Sequence, residues 1–129
     1  MSGERHEGRT LIGLTGPDRV SFLQGLVSND VARTSEGIVY AALLTPQGKY
    51  LADFFIHAEA DRLIIDVDSG LAPDLLKRLS MYRLRADVRI APVEDLIVLR
   101  GLGPAPGGAS PDPRHPSLGW RRLASPDAP

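Results

Sequence analysis

The chain has 129 residues, 43% of them apolar and 24% charged, with a net charge of -1. That length and balance suit one soluble globular domain and offer no broad basic face, so nucleic acid is not an expected partner. No cysteine is present, which excludes disulfides, thiolate nucleophiles and Cys-ligated zinc or iron–sulfur sites within the chain. No apolar run approaches a membrane span, so no membrane association is expected. The opening "MSGERHEGRT" leads into no signal segment, and the expected address is the cytoplasm.

In chain order, residues 1–9 read as a flexible N-terminus, and "TLIGLT" (Thr10 to Thr15) reads as a strand. "GPDRVSFLQGLVSND" follows as a helix, with Pro17 in its first turn and Val20, Leu23, Leu26 and Val27 on one stripe. Asn29 and Asp30 are helix-ending residues. "IVYAALLT" and "KYLADFFIHA" are strands joined by Pro46-Gln47-Gly48, and "RLIIDVD" is a third strand after a turn. "SGLAPDLLKRLSMYRL" carries Leu71, Leu75, Leu79 and Tyr82 on a helical face, with Ser69 as N-cap. "DVRIAP" and "DLIVLRGLG" close the pattern as strands. The order β-α-β-β-β-α-β-β predicts an α+β domain over residues 10–102. Its antiparallel sheet carries two helices on one face, as a ferredoxin-like unit elaborated by one strand. Residues 103–129 are dominated by Pro, Gly, Ala and Ser and read as a linker or truncated connection, with Trp120 its anchor.

Asp53 is the residue that asks for a reason, because it sits among Leu51, Phe54 and Phe55 in an otherwise apolar strand. If Leu44 pairs with Lys49, Tyr40 falls opposite Asp53; if His57 pairs with Arg62, Asp66 falls opposite Asp53 on the other side. Tyr50, Ala52, Phe54, Ile56, Leu63, Ile65 and Val67 then share a face that the helices cover. Tyr40, Asp53, His57 and Asp66 share the other. The two neighbouring carboxylates are expected to resist ionising together, which raises the pKa of one. Antiparallel sheets commonly keep one solvated face, on which Asp53 and Asp66 are simply wet, but Leu51, Phe55 and Ile64 share this one, and the mixture points to a covered pocket or partner surface with Asp53 as polar anchor.

The segments "TGPDRVSFLQGLVSNDV", "YAALLTPQGKYLADFFIH" and "LLKRLSMYRLRADVRIAP" resemble the N-terminal domain of YgfZ-type folate-binding proteins, relatives of the glycine-cleavage T-protein (an aminomethyltransferase). The similarity covers roughly residues 10 to 100. It implies tetrahydrofolate, or a folate derivative, as the cofactor and a role in iron–sulfur cluster assembly or repair. Its implied partners are folate, iron–sulfur client proteins and the remaining domains of the full-length protein. On the matching positions it implies Asp53 as the catalytic or electrostatic residue near the folate's reactive nitrogen, with Tyr40, His57 and Asp66 lining the pocket. "RHEGRT" stands where the T-protein has an Asp-x-Ser-His-Met-like segment, which disfavours an aminomethyltransferase. The later Lys-Gly-Cys motif of the YgfZ type is absent, and the family normally runs two to three times this length. Chemistry, if present, is at most folate-dependent one-carbon (aminomethyl) transfer. The rival readings are a T-protein-like enzyme and a non-catalytic interaction domain.

Other chemistry finds less support. His6, His57 and His115 lack metal-ligand spacing, so no metal site is expected. "TPQGK" is a turn without phosphate-loop spacing, and no G-x-S-x-G elbow supports a Ser-His-Asp triad. The basic run "KRLSMYRLR" reads as a solvated helix face.

Overall fold

The computed structural model describes residues 4–45 and 47–126, and among them the strands form two antiparallel sheets. The elements run β1 Glu4–Arg5, β2 Arg9–Thr15, α1 Arg19–Gln24, a 3₁₀ turn Val31–Ser35, β3 Val39–Leu44, β4 Tyr50–Glu59 and β5 Arg62–Asp68. They continue through α2 Ala72–Tyr82, β6 Arg89–Val93, β7 Ile97–Gly101, β8 Ser110–Pro111, a 3₁₀ turn Pro116–Leu118 and β9 Trp120–Ala124. The main sheet is ordered β3-β4-β5-β2-β6 and the second β1-β7-β9-β8. The α+β class holds, with β7 assigned to the second sheet rather than to the first.

The three inner strands of the main sheet explain its apolar runs. Leu11 to Leu14, Phe54 to His57 and Leu63 to Val67 are all buried, because layers cover both faces. On one face Ile12, Leu14, Ala41, Phe54, Ile56 and Ile65 pack under Leu23 of α1 and Ala72, Leu75 and Leu79 of α2. The α2 residues recur at helical spacing, which places them on one stripe. On the opposite face Leu11 and Ile64 meet Val98 of β7, with Leu96 and Leu123 alongside. The helices, main sheet and second sheet thus stack as three layers.

The first helix is shorter than its apolar stripe predicts. It stops at Gln24, and Val27 makes a bridge to Leu43 instead. The segment released there finds partners on the β3 edge: the Ser28 backbone N donates to the Ala42 carbonyl at 3.0 Å, and the Asn29 side-chain Nδ2 donates to the Tyr40 carbonyl at 3.0 Å. Gln24 fixes the loop by donating to Asn29 O and accepting from Val31 N. Asp30, expected at a helix end, caps the 3₁₀ turn by accepting from Ala32 N. Ser69 does not cap α2; Leu71 holds that position, and the Ser69 hydroxyl bonds to that of Thr10 at 2.7 Å.

Both chain ends differ from expectation within the described residues. Glu4 and Arg5 of the expected flexible terminus pair with Arg100 and Leu99 of β7. The expected linker contains β9, which pairs with β7 from Ile97↔Ala124 to Gly101↔Trp120. Gly119, with Gly101 on the paired strand, permits close approach rather than looseness. Gly119 has φ +79, and a Cβ there would lie 1.8 Å from the Gly101 carbonyl oxygen. A Cβ on Gly101 would lie 2.5 Å from the Trp120 indole. Trp120 is 1% exposed. Trp120→Ala is therefore expected to destabilise the protein by about 3–5 kcal/mol. Urea unfolding monitored by circular dichroism measures this, and a midpoint equal to that of the parent protein contradicts a packed role for the segment.

Candidate functional site

The hairpin from β3 to β4 sets the face of every residue on it. Its turn closes with Thr45 N donating to Lys49 O, and Gly48 N donates to Thr45 O; Pro46 lies outside the described residues. Leu44 pairs with Tyr50 rather than Lys49, and Leu43 pairs with Ala52, leaving Leu51 as a bulge. Each of these offsets alone exchanges the two faces, and together they restore them. Tyr40 accordingly pairs with Phe55, two residues from the expected Asp53, yet stays on Asp53's side. The β4–β5 hairpin shifts by two as well. Glu59 pairs with Arg62 around a two-residue turn in which Ala60 has φ 54, so Asp66 faces Phe55 rather than Asp53.

The predicted residues thus share one face, but they fall into two groups. At the outer end, the Tyr40 and Tyr50 hydroxyls donate to the two oxygens of Asp53. Tyr50 was expected beneath the helices and is 57% exposed, because the bulge turns it to Asp53's side and sends Leu51 toward the core. Burial works to raise the Asp53 pKa, but the two phenol donors outweigh it and hold the carboxyl below its ordinary value. Among the described residues, no ion pair reaches Asp53. Tyr40 is pushed up to about 12 by burial and by its bond to Asp53, and Tyr50 is raised chiefly by the same carboxylate.

At the inner end, Asp66 is 0% exposed. Arg9 Nε donates to its Oδ1 at 2.7 Å, while Arg121 Nη2 at 2.9 Å and His57 Nε2 at 3.3 Å approach Oδ2. Arg9 also donates to the Asp66 carbonyl. Burial pushes the Asp66 carboxyl up, but the His57 hydrogen bond and the charges of Arg121 and Arg9 hold it well below the carboxylate range. The expected raised carboxyl is therefore absent from both positions, since Asp53 and Asp66 each have their own donors. His6 accepts from Arg121 Nη2 at 3.1 Å. Burial and the flanking Arg100, Arg121 and Arg9 lower its pKa to about 4, so it is uncharged at neutral pH.

Between the two groups stands Phe55, with guanidinium carbons 4.1 Å (Arg121), 4.8 Å (Arg114) and 5.6 Å (Arg9) from its ring centre. Tyr40 tilts against the same ring at 5.3 Å, and Arg114 lies 5.7 Å from the Tyr40 ring. Asp112 holds Arg114 through Nε at 3.0 Å and Nη2 at 2.8 Å. The hollow expected to join Tyr40, Asp53, His57 and Asp66 is filled by these side chains. A cleft of about 390 Å³ runs beside His57, Arg121 and Arg122, and another of about 400 Å³ beside Tyr40 and Ser110; Asp53 and Asp66 line neither. Sequence reasoning missed Tyr50, Arg9, Arg114 and Arg121. The available signal for the last was "GWRRLA", a short strand pattern behind a glycine.

No family model matches the chain. Among solved structures, the glycine cleavage system aminomethyltransferase T from Bartonella henselae aligns with a TM-score of 0.64 and 22% identity, over 71% of this chain and 26% of that one. That likeness shows a shared fold over the aligned stretch. Curated relatives are more specific. The mitochondrial iron–sulfur cluster assembly factor IBA57 homolog of Mycosarcoma maydis is 32% identical over 139 residues, covering 91% of this chain and 34% of the relative. The human mitochondrial IBA57 is 31% identical over 154 residues, covering 97% and 43% respectively. The chain is homologous to these IBA57 factors, within the YgfZ-type branch that the sequence resembles. It spans less than half the length of the curated relatives it matches. Those relatives are named as mitochondrial, which overturns the cytoplasmic expectation; an address is carried by a targeting segment, not by the composition of a folded domain.

The Asp66 cluster yields a stability prediction. Its folded carboxyl titrates below the ordinary value of 3.8, so its stabilisation is complete above that value and is lost as pH falls through it toward the folded one. Asp66→Asn leaves Arg9 and Arg121 without their anion and is expected to cost about 3–5 kcal/mol at pH 7. Denaturant melts from pH 7 to 3 should show the wild type losing stability below about pH 4 and the variant lacking that added loss. Equal stability at pH 7 contradicts the assignment.

Proposed function

We propose that this chain forms one wall of a tetrahydrofolate-type binding site in a YgfZ-like protein that supports iron–sulfur cluster assembly. The cluster-assembly role rests on homology to IBA57 factors across more than nine-tenths of the chain. The folate reading rests on the superfamily fold and on Asp53. This half-buried carboxylate keeps its charge through two phenol donors and has unused lone pairs beside aromatic rings.

Those features fit the ligand class. A reduced pterin is flat and apolar on its faces, which suits the half-buried Tyr40 ring beside Asp53, and its ring and linking nitrogens carry N–H groups that a carboxylate accepts. An ionised Asp53 would favour a protonated nitrogen by charge attraction, which is an electrostatic role and does not require turnover. His57 and Asp66 act behind this surface, holding the β4–β5 ladder and the arginines that flank Phe55. They are positioning residues in this reading, not ligand contacts. The iron–sulfur cluster is the cargo of the pathway; this cysteine-free chain supplies no thiolate to hold one.

Calorimetric titration of folinic acid into the protein and its Asp53→Ala and Tyr40→Phe variants tests the reading. Loss of one buried charge-assisted contact corresponds to a fall in affinity of about tenfold or more for Asp53→Ala, with a smaller fall for Tyr40→Phe. Unchanged affinity in both variants refutes the site.

A further inference from the structure

We propose that Tyr50 is a positioning residue of the Asp53 site, placed there by the bulge at Leu51 so that two phenols grip the two oxygens of one carboxylate. The proposal rests on the reading that Asp53 meets a ligand, and adds a residue that strand alternation assigns to the wrong face. Residues 50 and 53 differ by an odd number, so in a regular strand they point to opposite sides. Here Leu43 faces Ala52 and Leu44 faces Tyr50. Leu51 is the additional residue, and it packs toward the helices together with Ala52. The bulge thereby re-aims Tyr50, a recurrent use of such irregularities near binding sites.

The chemistry of the grip is specific. An ionised carboxylate offers about four lone-pair directions. Tyr40 takes one on Oδ2 and Tyr50 one on Oδ1, so the carboxyl plane is fixed from both ends and one acceptor direction on each oxygen remains. A single phenol would leave the group free to rotate about its Cβ–Cγ bond, which is a soft torsion. Two neutral donors hold the charge without cancelling it, as an arginine partner would. The arrangement suits a ligand nitrogen bearing N–H groups or a positive charge. Tyr50 is mostly exposed at the hairpin end, so its hydroxyl can be removed without disturbing packing.

Two measurements decide the matter. The first needs no ligand: tyrosine absorbance is followed through alkaline pH in the wild type and in Asp53→Asn. The chain has three tyrosines, and removing the carboxylate charge should let two of them, Tyr40 and Tyr50, ionise at lower pH. A shift in only one overturns the two-phenol grip, whatever the ligand. The second is the affinity for folinic acid between pH 3 and 8 in the wild type, Tyr50→Phe and Asp53→Asn. Tyr50→Phe should move the acidic fall in affinity to higher pH, and Asp53→Asn should lack that feature and bind at least tenfold more weakly. Superimposable wild-type and Tyr50→Phe profiles overturn the positioning role. Wild-type affinity in Asp53→Asn instead sinks the ligand reading itself, so the two failures are distinct.

Discussion

A carboxylate with no exposure to water, set in the middle of an inner strand, constrains the rest of this molecule. Removing Asp66 from solvent costs several kcal/mol unless its oxygens meet charged donors in good geometry. The donors come from three different strands: Arg9 from β2, His57 from β4 and Arg121 from β9. Two belong to the same sheet as Asp66, and the third reaches across from the second sheet. The polar contact thus does what the small apolar cluster of Leu11, Ile64 and Val98 does alongside it, fastening one layer to the next. The excess of guanidinium over carboxylate is accommodated by the Phe55 ring, whose face attracts cations. The outer Asp53 group is held differently, by neutral phenols, and so keeps its charge without an ion-pair partner among the described residues.

Much of this was readable from alternation, and the reason is parity. Tyr40, Asp53, His57 and Asp66 do lie on one face, because the errors in both hairpins were even numbers of residues. A two-residue slip moves a side chain along its face but not through the sheet. What alternation cannot supply is the bulge at Leu51, since Tyr50, Leu51 and Ala52 carry no glycine or other mark of one. The Ala60-Asp61 turn was equally silent. Two-residue hairpins of this kind favour Asn-Gly or Asp-Gly, and Ala60 takes a positive φ without advertising it. The division of the four residues into two groups follows from side chains far away in sequence. Arg114 and Arg121 occupy the space where the strands alone would leave a hollow.

The same remoteness explains the misreading of the C-terminal residues. Proline and glycine density lowers the expectation of regular structure, and residues 103–109 bear that out by forming no strand or helix. On either side of them, however, Gly101 and Gly119 are required by the approach of two backbones and an indole. Composition alone does not separate a glycine that frees the chain from one that makes room. Family resemblance reached only to about residue 100, so it carried the α+β class and the expected polar face but not the second sheet that packs against it.

The partnership of Asp66 with Arg121 also has a temporal side. The two lie 55 positions apart, so during synthesis the main sheet's strands leave the ribosome well before the strand that completes their charge balance. Before β9 joins, Arg9 at Oδ1 and His57 at Oδ2 are the donors that the main sheet itself supplies. Completing the donor set of this carboxylate therefore requires both sheets, and the last-made strand is the one that closes it.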